Sequence, residues 1–367
     1  MKITVVQGAF LPVPPIMGGG VEKVWSALTQ EFARLGHSVT HVSRRHPQLP
    51  DAETRDGVRH VRLPGFDSPR GMLRRQCEDL LYSLRAVRAL PDADILVTNT
   101  FWLPLLVRNP RHGKIYVHVA RYPKRQMRLY RRAARLQAVS NPVADAVRAQ
   151  VPALAHKVCA LPNPLPSAQY HVSPQPTSQP PVILYLGRVH PEKGLELLLR
   201  AVAKLPVPHQ LRIVGPWQTE FGGGGEAFYQ SLRALAAPER VQFTGPLFGA
   251  AELNAQFDAA TLFVYPSLAE KGETFGLAPL EAMARSRVAL VSDLACFRDF
   301  LRAGENGFVF DHRAADPVAG LARQLGELLA APERLAAFAP RAYATAKEFE
   351  LPTVATRYLA DFQSLLA

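Results

Sequence analysis

Residues 1–42 read MKITVVQGAFLPVPPIMGGGVEKVWSALTQEFARLGHSVTHV, and this stretch indicates the fold class. The apolar run at residues 3–6 has the length of a buried strand. After a turn-rich loop, apolar residues recur at spacings of three and four over residues 21–35, which indicates an amphipathic helix. Gly36 stands where a helix cap is expected, and residues 38–42 return as a strand. The pattern predicts a β-α-β unit with parallel strands and a right-handed crossover.

The same alternation of short apolar runs and helical segments continues along the chain. Strand-like runs follow at residues 95–97, 115–117 and 136–140, and the pattern restarts at residues 182–186. A chain of 367 residues is long enough for two domains of ordinary size. The sequence therefore predicts an α/β fold with two Rossmann-like, doubly wound domains that face a central cleft.

Proline marks the expected domain boundary. Seven prolines fall within residues 161–181, which is typical of an exposed and semi-stiff connector. We place the first domain at residues 1–165, the linker at 166–181 and the second domain at 182–349. A final helix at about residues 350–367 is expected to pack back on the first domain.

Charge is unevenly distributed along the chain. The net charge is +12, yet residues 1–180 hold 25 Lys and Arg against 11 Asp and Glu, whereas residues 181–367 hold 18 against 20. Residues 108–135 hold ten basic residues and no acidic one. An excess this local indicates an anionic partner, such as nucleic acid, a membrane surface or a phosphorylated substrate. A solvated basic face is the alternative.

Composition excludes several classes of protein. The 48% of hydrophobic and 20% of charged residues exclude a chain that is disordered throughout. The three cysteines, Cys77, Cys159 and Cys296, are odd in number and widely spaced, so we expect reduced thiols in a cytoplasm rather than a disulfide scaffold or metal cluster. The apolar stretch at residues 95–107 is shorter than the ~20 residues of a membrane span, and the first residues do not form a signal peptide.

The first motif with a chemical interpretation is Gly187-Arg188-Val189-His190-Pro191-Glu192-Lys193-Gly194, directly after a predicted strand. Gly187 lets the chain leave the strand closely, and Gly194 opens the next helix. Two cations and a helix N-terminus at one place favour a diphosphate, although surface cations at a turn would give the same pattern. The spacing fits neither the phosphate loop of ATPases nor the dinucleotide fingerprint.

The second motif, KGETFGLAPLEAMA at residues 271–284, places Glu273 and Glu281 eight positions apart. Glu273 lies in a loop after a predicted strand, and Glu281 lies in the helix that follows. Backbone amides near residues 275–277 can cradle a phosphate, and carboxylates accept hydrogen bonds from pairs of sugar hydroxyls. Two glutamates at this spacing are common by chance, but the strand, glycine turn and helix around them make the motif specific.

The third motif is Gly18-Gly19-Gly20-Val21-Glu22, at the entry to the first helix. Glycines there let a ligand approach the backbone at a helix N-terminus, and a simple flexible turn is the other interpretation. A further run of four glycines at residues 222–225 predicts a flexible loop.

Together these motifs resemble those of glycosyltransferase family 4, the retaining glycosyl transferases of group 1, which use nucleotide sugars and have the GT-B fold. The glycine loop at residues 18–21, the Gly187 to Gly194 motif and the Glu273-x7-Glu281 motif carry the resemblance. Residues 161–164 and 304–309 are similar to two further loops of the family. The resemblance implies the GT-B fold for this chain.

The resemblance also implies roles for individual residues. Arg188 and Lys193 would bind the donor diphosphate, Glu281 the ribose hydroxyls and Glu273 the hydroxyls of the donor sugar. His118 matches a family histidine near the reacting sugar. The implied catalytic residues are therefore His118, Glu273, Arg188 and Lys193. The implied donor-binding residues are Gly19, Gly20, Gly187, Arg188, Lys193, Glu273, Thr274, Phe275, Gly276, Leu277 and Glu281.

The implied reaction is transfer of a sugar from a nucleoside diphosphate to an acceptor hydroxyl, with retention at the anomeric carbon. During front-face attack the leaving phosphate would itself accept the proton of the acceptor, and the family needs no metal or cofactor. The acceptor would be a glycan or lipid-linked molecule in the synthesis of a surface polysaccharide or glycolipid. The family often has a glutamate near residue 299, and whether Asp299 replaces it stays open.

Residues 123–137 predict a basic helix that suits an anionic membrane surface. The cations that would contact this surface are Lys124, Arg125, Arg128, Arg131, Arg132 and Arg135. The expected location is the cytoplasm, either at the inner face of the cytoplasmic membrane or, if the basic face is merely solvated, away from it.

Two other functions stay open at this point. A nucleotide-sugar epimerase of the same fold would share the donor contacts and would need no acceptor pocket. A nucleic-acid-binding protein would explain the charge of +12 but not the acidic balance of residues 181–367, so we expect no nucleic-acid partner.

Overall fold

The computed structural model describes residues 1–69, 71–176, 180–247 and 249–367, and these divide into two compact units. Unit 1 comprises Met1–Pro164 and Glu350–Ala367, and unit 2 comprises Leu165–Phe349. Each unit contains one sheet, and helices alternate with its strands.

The strands and helices have the following bounds in chain order. The strands are β1 (Lys2–Val6), β2 (Ser38–Arg44), β3 (Ala52–Arg55), β4 (Val58–Leu63), β5 (Ile95–Thr98), β6 (Lys114–Val119), β7 (Arg135–Ala138), β8 (Val158–Ala160), β9 (Val182–Leu186), β10 (Gln210–Val214), β11 (Val241–Gly245), β12 (Leu262–Tyr265), β13 (Ala289–Ser292) and β14 (Phe308–Phe310). The helices are α1 (Gly20–Arg34), α2 (Met72–Ala89), α3 (Leu103–Leu106), α4 (Asn141–Gln150), α5 (Leu195–Val202), α6 (Glu226–Leu235), α7 (Ala250–Ala259), α8 (Leu277–Ala284), α9 (Pro317–Leu329), α10 (Pro332–Lys347) and α11 (Leu351–Leu366).

The sheet of unit 1 has the strand order β3-β4-β2-β1-β5-β6-β7-β8. Its pairs are parallel except for the β3–β4 hairpin at one edge. The β-α-β unit expected from residues 1–42 is confirmed, because β1 and β2 pair in parallel from Lys2 with Ser38 to Val6 with Val42. The strand order reverses between β1 and β5, so the loops after these strands diverge and leave a crevice at their carboxyl ends.

Unit 1 packs around α1 and the C-terminal helix α11. Trp25, Leu28 and Phe32 on one face of α1 are buried in one apolar cluster with Tyr358 and Phe362 of α11. The rings of Trp25 and Tyr358 meet edge to face, with 5.5 Å between their centroids. This cluster attaches the last helix of the chain to the sheet formed by its first residues.

The sheet of unit 2 has the order β11-β10-β9-β12-β13-β14, and all of its pairs are parallel. Strands β12 and β13 are buried along their whole length, as expected for a parallel sheet covered on both faces. This is the strand order of a doubly wound Rossmann sheet, with its switch point between β9 and β12. The loops after β9 and β12 carry the first two sequence motifs.

The predicted linker is not a free connector where the structure describes it. Residues 177–179 lie outside the described residues, but residues 165–176 belong to unit 2. The hydroxyl of Tyr170 donates to the carbonyl oxygen of Ala346 at 2.7 Å. The prolines limit regular secondary structure in this segment, but its other side chains still form hydrogen bonds within unit 2.

The basic helix predicted for residues 123–137 does not form. The chain makes a 3₁₀ turn at Gln126–Leu129 and then enters β7. Met127, Tyr130 and Ala133 are buried at a spacing of three. The N–H groups of Tyr130 and Ala133 each donate to the carbonyl three residues earlier. A spacing of three fits consecutive tight turns better than an α-helix.

Arg135 consequently does not belong to the basic surface predicted from the sequence. It begins β7, and its guanidinium lies 2.6 Å from the carboxylate of Asp361 in α11, with side-chain exposures of 16% and 15%. The hydroxyl of Tyr116 donates to the same carboxylate at 2.9 Å. The other cations of that surface are exposed: Lys124, Arg125, Arg128, Arg131 and Arg132.

Candidate functional site

In unit 2, the motif side chains meet at the switch point of the sheet. The loop after β9 carries Arg188 and Lys193, and the loop after β12 carries Glu273. Nζ of Lys193 lies 2.7 Å from Oε2 of Glu273, and the two side chains are only 6% and 11% exposed. Two motifs separated by 80 positions in the sequence therefore form one ion pair.

Tyr265, the last residue of β12, contacts both partners of this ion pair. Its hydroxyl donates to Oε2 of Glu273 at 3.1 Å, and Nζ of Lys193 lies 5.5 Å from the centroid of its ring. Burial raises the pKa of Tyr265 well above its usual value, so the hydroxyl keeps its proton for the carboxylate. Sequence reasoning misses Tyr265, because an aromatic residue at the end of a buried strand resembles core.

Arg188 is held by the chain around it. Nη2 donates to Glu192 at 2.7 Å, and Nη1 donates to the carbonyl oxygen of Gly222 at 2.6 Å. Gly224 donates its N–H to the carbonyl of Val189 at 2.8 Å. The four-glycine run is therefore hydrogen-bonded against the Arg188 motif and is not the flexible loop that its composition predicts.

Two glycines let these loops come together. Gly194 has a φ of 69°, and a Cβ atom there would clash with the carbonyl oxygen of Pro266 in the loop after β12. Gly276, the N-cap of α8, has a φ of 91°, and a Cβ atom there would clash with the ring of Phe297. Because glycine has no Cβ atom, it tolerates the positive φ and avoids the clash at both positions. Gly187 directly follows β9.

The N-terminus of α8 carries backbone donors for an anion. In the part of the chain that the structure describes, the N–H groups of Phe275 and Gly276 have no backbone acceptor. Leu277 begins the helix, and first-turn amides have no partner within a helix. Thr274 immediately precedes this group. An anion there would meet several N–H groups at the positive end of the helix.

Glu281 and Asp299, the remaining acidic candidates, occupy separate elements. Glu281 lies one turn into α8 and accepts a hydrogen bond from Nε2 of Gln169 at 3.3 Å. Asp299 ends the 3₁₀ turn Ala295–Asp299, which follows β13. Whether Asp299 replaces a family glutamate stays a prediction.

In unit 1, a cavity of about 470 Å³ lies where the strand order reverses between β1 and β5. The loops after β1, β5 and β6 supply most of its lining, and the start of α1, the end of β6 and one face of α2 supply most of the rest. The lining includes Gly19, Gly20, Glu22, Arg75, Asp79, Phe101, His118, Arg121 and Tyr130. Three of the predicted site residues, Gly19, Gly20 and His118, are thus brought together in unit 1.

His118 lies on β6, and Gln137 on the next strand fixes its tautomer. Nδ1 of His118 lies 2.6 Å from Oε1 of Gln137. The amide nitrogen of Gln137 donates to the carbonyls of Ala138 and Leu161 at 2.7 and 2.8 Å, so its oxygen accepts from His118. Nδ1 therefore carries the proton, and Nε2 keeps its lone pair. Burial lowers the pKa of His118 to about 4, so the ring is neutral at physiological pH.

Two buried carboxylates to which the sequence analysis assigns no role line the same cavity. Oδ2 of Asp79 accepts the backbone N–H groups of Phe101 and Trp102 at 3.1 and 3.2 Å. Glu22 lies in the first turn of α1, where the positive charge of Arg121 acts on it. Burial raises the pKa of both carboxyl groups above the ordinary value. Glu22 closes the third motif, but neither that motif nor the sequence around Asp79 indicates a buried carboxylate at a cavity.

The fold of both units, each with candidate residues at the switch point of a doubly wound sheet, defines the GT-B class. Two family models match the chain. Glycosyl transferases group 1 matches residues 167–345, and Glycosyltransferase Family 4 matches residues 18–169. The chain belongs to the group 1 and family 4 glycosyltransferases.

Curated relatives align with about half of the chain. The D-inositol 3-phosphate glycosyltransferase of Streptomyces scabiei is 34% identical over 179 residues, which are 47% of this chain and 39% of that protein. The lipopolysaccharide core biosynthesis mannosyltransferase LpcC of Rhizobium leguminosarum bv. viciae is 28% identical over 184 residues, 49% of this chain and 50% of that protein. The chain therefore spans half or less of the length of these relatives.

Solved structures match the whole chain. Sucrose-phosphate synthase from Thermosynechococcus elongatus has a TM-score of 0.83 at 20% identity and covers 100% of this chain and 99% of its own. Anabaena HepE in complex with UDP and glucose has a TM-score of 0.75 at 18% identity and covers 99% of this chain and 100% of its own. At these identities the likeness concerns the fold, and it confirms the predicted GT-B fold.

Proposed function

We propose that the protein transfers a sugar from a nucleoside diphosphate sugar to an acceptor hydroxyl, with retention at the anomeric carbon. The Lys193–Glu273 ion pair carries the proposal, because it sets a cation beside a carboxylate where a doubly wound sheet binds its ligand. Membership of a glycosyltransferase family supports it, as does the relative HepE, whose structure holds UDP and glucose.

Lys193 and Arg188 keep hydrogen-bond donors that are available to a ligand. The ammonium of Lys193 has three donors and spends one on Glu273, so the others can reach diphosphate oxygens. The guanidinium of Arg188 likewise keeps free N–H groups beyond its bonds to Glu192 and Gly222. Negative charge grows on the leaving diphosphate, so these preorganised donors stabilise the transition state more than the ground state.

The carboxylates and the histidine would hold hydroxyl groups. Glu273 would accept hydrogen bonds from the donor sugar, and Glu281 from the ribose. The neutral Nε2 of His118 would accept one from a hydroxyl at the reacting centre, because its lone pair is free. The leaving phosphate would take the acceptor proton on the same face, so no carboxylate nucleophile is required, in contrast to retaining glycosidases.

Docking to an anionic membrane surface through unit 1 is part of the same proposal. Lys124, Arg125, Arg128, Arg131 and Arg132 are exposed, and Leu129 among them is 51% exposed. Exposed cations beside exposed apolar side chains favour the interface of an anionic bilayer. Within the described ranges, no helix is long and apolar enough to cross a membrane. A glycolipid or lipid-linked glycan would be a suitable acceptor at such a surface.

A panel of nucleotide sugars tests the proposed reaction. Thermal unfolding with each compound identifies the donor, since a ligand that binds only the folded chain raises the unfolding temperature. Incubation with that donor should slowly release free nucleoside diphosphate by transfer of the sugar to water. An altered sugar still attached to its nucleotide would indicate an epimerase instead, and binding of no nucleotide sugar would contradict both activities.

A further inference from the structure

Arg75 and Asp79 lie four residues apart on α2, and both line the cavity of unit 1. A spacing of four puts two side chains on the same face of a helix. The preceding pair, Arg74 and Glu78, forms its own ion pair at 2.7 Å, and neither is among the residues that line the cavity. The helix therefore presents one cation and one carboxylate to the cavity from adjacent turns.

The charge of Arg75 is not cancelled by Asp79. Among the described residues, no acidic side chain forms an ion pair with Arg75, whose guanidinium lies over the ring of Phe10 at 5.4 Å from the centroid. Asp79 instead uses Oδ2 to accept two backbone N–H groups. Arg121, exposed where it lines the same cavity, adds a second cation. The cavity thus offers cations at exposed positions and carboxylates at buried ones.

We infer that this cavity binds the acceptor through an anionic group that stands beside free hydroxyls, as in a phosphorylated polyol or sugar. The guanidinium of Arg75 binds phosphate oxygens, for which its planar fork of donors is well suited. The carboxylates of Asp79 and Glu22 accept from hydroxyls and repel the phosphate, so the acceptor enters in one orientation. The inference rests on the proposed sugar transfer, because it names the class of its second substrate.

Paired probes test the anionic requirement without any donor. The probes are myo-inositol 1-phosphate and myo-inositol, which differ only in the phosphate, and titration calorimetry measures their binding to the full chain. We expect the phosphorylated probe to bind at least about tenfold more tightly. Arg75→Ala should abolish this preference, whereas Arg74→Ala, a neighbouring arginine that is 77% exposed and does not line the cavity, should keep it within about twofold.

Asp79→Asn provides a second variant that should still fold. Asparagine keeps an oxygen for the N–H groups of Phe101 and Trp102 but loses the negative charge. Myo-inositol, which carries no phosphate for Asp79 to repel, should bind this variant more weakly than the wild type, because its hydroxyl acceptor is weakened. Unchanged binding of both probes to Asp79→Asn would overturn the assignment of Asp79 to the hydroxyls.

Vesicles distinguish a lipid headgroup from a free phosphate. Phosphatidylinositol in phosphatidylcholine vesicles presents the same polyol next to a phosphodiester. Sedimentation that depends on Arg75 and not on Arg74 assigns the acceptor to a lipid, and binding of the soluble probe alone assigns it to a free phosphate. Binding of neither overturns the inference, as does an equal loss in the Arg74→Ala and Arg75→Ala variants.

Release of nucleoside diphosphate from the sugar panel is measured on the same preparations. Release of nucleoside diphosphate, together with equal binding of the two probes, would contradict the anionic acceptor but not the proposed sugar transfer. Absence of release with every nucleotide sugar contradicts the proposed function itself.

Discussion

At the scale of single residues, Tyr265 and Lys193 hold the carboxylate of Glu273 in place. Both donate to its Oε2 atom, and the three side chains are enclosed at the end of β12. A carboxylate held by two donors is fixed in position before any ligand arrives. Glu273 therefore needs little reorganisation to accept hydrogen bonds from a ligand.

The first prediction concerns the cation of this cluster. We expect Lys193→Ala to lower kcat by ten- to a thousandfold, since removal of a charged transition-state contact costs ~1.5–4 kcal/mol. Arg188→Ala should show a loss in the same range. Steady-state kinetics with the donor found in the panel measures both, and Lys204→Ala, an exposed lysine of unit 2, is the control. Near-normal turnover in both site variants would contradict the diphosphate assignment.

The second prediction concerns the tautomer of His118. Gln137→Ala should remove the preference for a proton on Nδ1, which ¹⁵N NMR of the histidine ring reports directly. Gln137→Glu should keep that proton and raise the pKa of His118 above about 4, because a carboxylate favours the charged ring.

The rate of Gln137→Glu should accordingly fall as the pH drops through the raised pKa, at a pH where the wild type still has a neutral His118. A pH–rate profile identical to that of the wild type would show that His118 takes no part in the reaction. Gln126→Ala, another cavity residue, is the control for the NMR experiment.

At the scale of elements, α11 is attached to the sheet of unit 1 by a polar network as well as by its apolar face. Asp361 accepts from Tyr116 and Arg135, which lie on the neighbouring strands β6 and β7. The third prediction is that Asp361→Ala lowers the free energy of unfolding by about 2–3 kcal/mol, because a mostly buried guanidinium loses its partner. Urea denaturation measures the change.

The control for this prediction is Asp145→Ala. Asp145 also pairs with an arginine, Arg148, but the two side chains are 71% and 39% exposed. Exposed pairs contribute little, so the control should change the free energy by less than about 0.5 kcal/mol. Equal effects of the two variants would mean that the α11 network adds no stability beyond a surface ion pair.

Strands β2 and β4 hold a pair of buried histidines that makes unit 1 sensitive to acid. His41 and His60 stack at 5.8 Å between ring centroids, beside the buried guanidinium of Arg62. Burial, together with the charges of His60 and Arg62, lowers the pKa of His41 to about 3, and burial together with the charge of Arg62 lowers that of His60 to about 4. Glu53 acts in the opposite direction on His60.

The fourth prediction follows from these pKa values. Unfolded histidine titrates near 6.5, so below about pH 6.5 the unfolded chain binds more protons than the folded one. The contribution of these two histidines to the free energy of unfolding should stay flat above that pH and fall on acidification toward pH 4, by up to about 1.4 kcal/mol per pH unit for each histidine. His60→Gln should reduce this slope, and exposed His156→Gln should leave it unchanged. If His60→Gln leaves the slope of unfolding free energy against pH unaltered, the prediction is wrong.

Elements with a clear period are well predicted from the sequence, and those set by tertiary contacts are not. The parallel β1–α1–β2 unit follows from apolar spacing alone. The hairpin of β3 and β4 escapes sequence analysis, because its strand Ala52–Arg55 is polar and mostly exposed. The segment around Tyr130 is misjudged as a helix, because its cations recur at helical spacing while burial selects every third residue.

At the scale of the whole molecule, the charge surplus is confined to one part of the chain. Residues 1–180 hold 25 basic against 11 acidic residues, and the loop after β6 concentrates exposed cations. If unit 2 binds the donor as proposed, its motifs need only the few cations placed there. We therefore propose that the surplus serves the acceptor, or the surface that carries it, rather than the donor.

The fifth prediction tests this surface with vesicles of phosphatidylglycerol. Replacing Arg128, Arg131 and Arg132 together by Gln should weaken vesicle binding by more than about tenfold at low salt, at up to ~1 kcal/mol per cation. The matched control replaces three exposed arginines of unit 2, which are Arg233, Arg240 and Arg323. Equal binding of the wild type to neutral and anionic vesicles would exclude electrostatic docking.

The α/β class, the family and the pairing of Glu273 with Glu281 in one motif follow from the sequence alone, because each depends on patterns within a few consecutive residues. The ion pair of Lys193 with Glu273 across 80 positions, and the tautomer that Gln137 imposes on His118, are visible only in the folded chain. The same is true of the cavity that Arg75 and Asp79 line together. Contacts of this kind depend on strand order and register, which parallel crossovers establish between segments far apart in the chain.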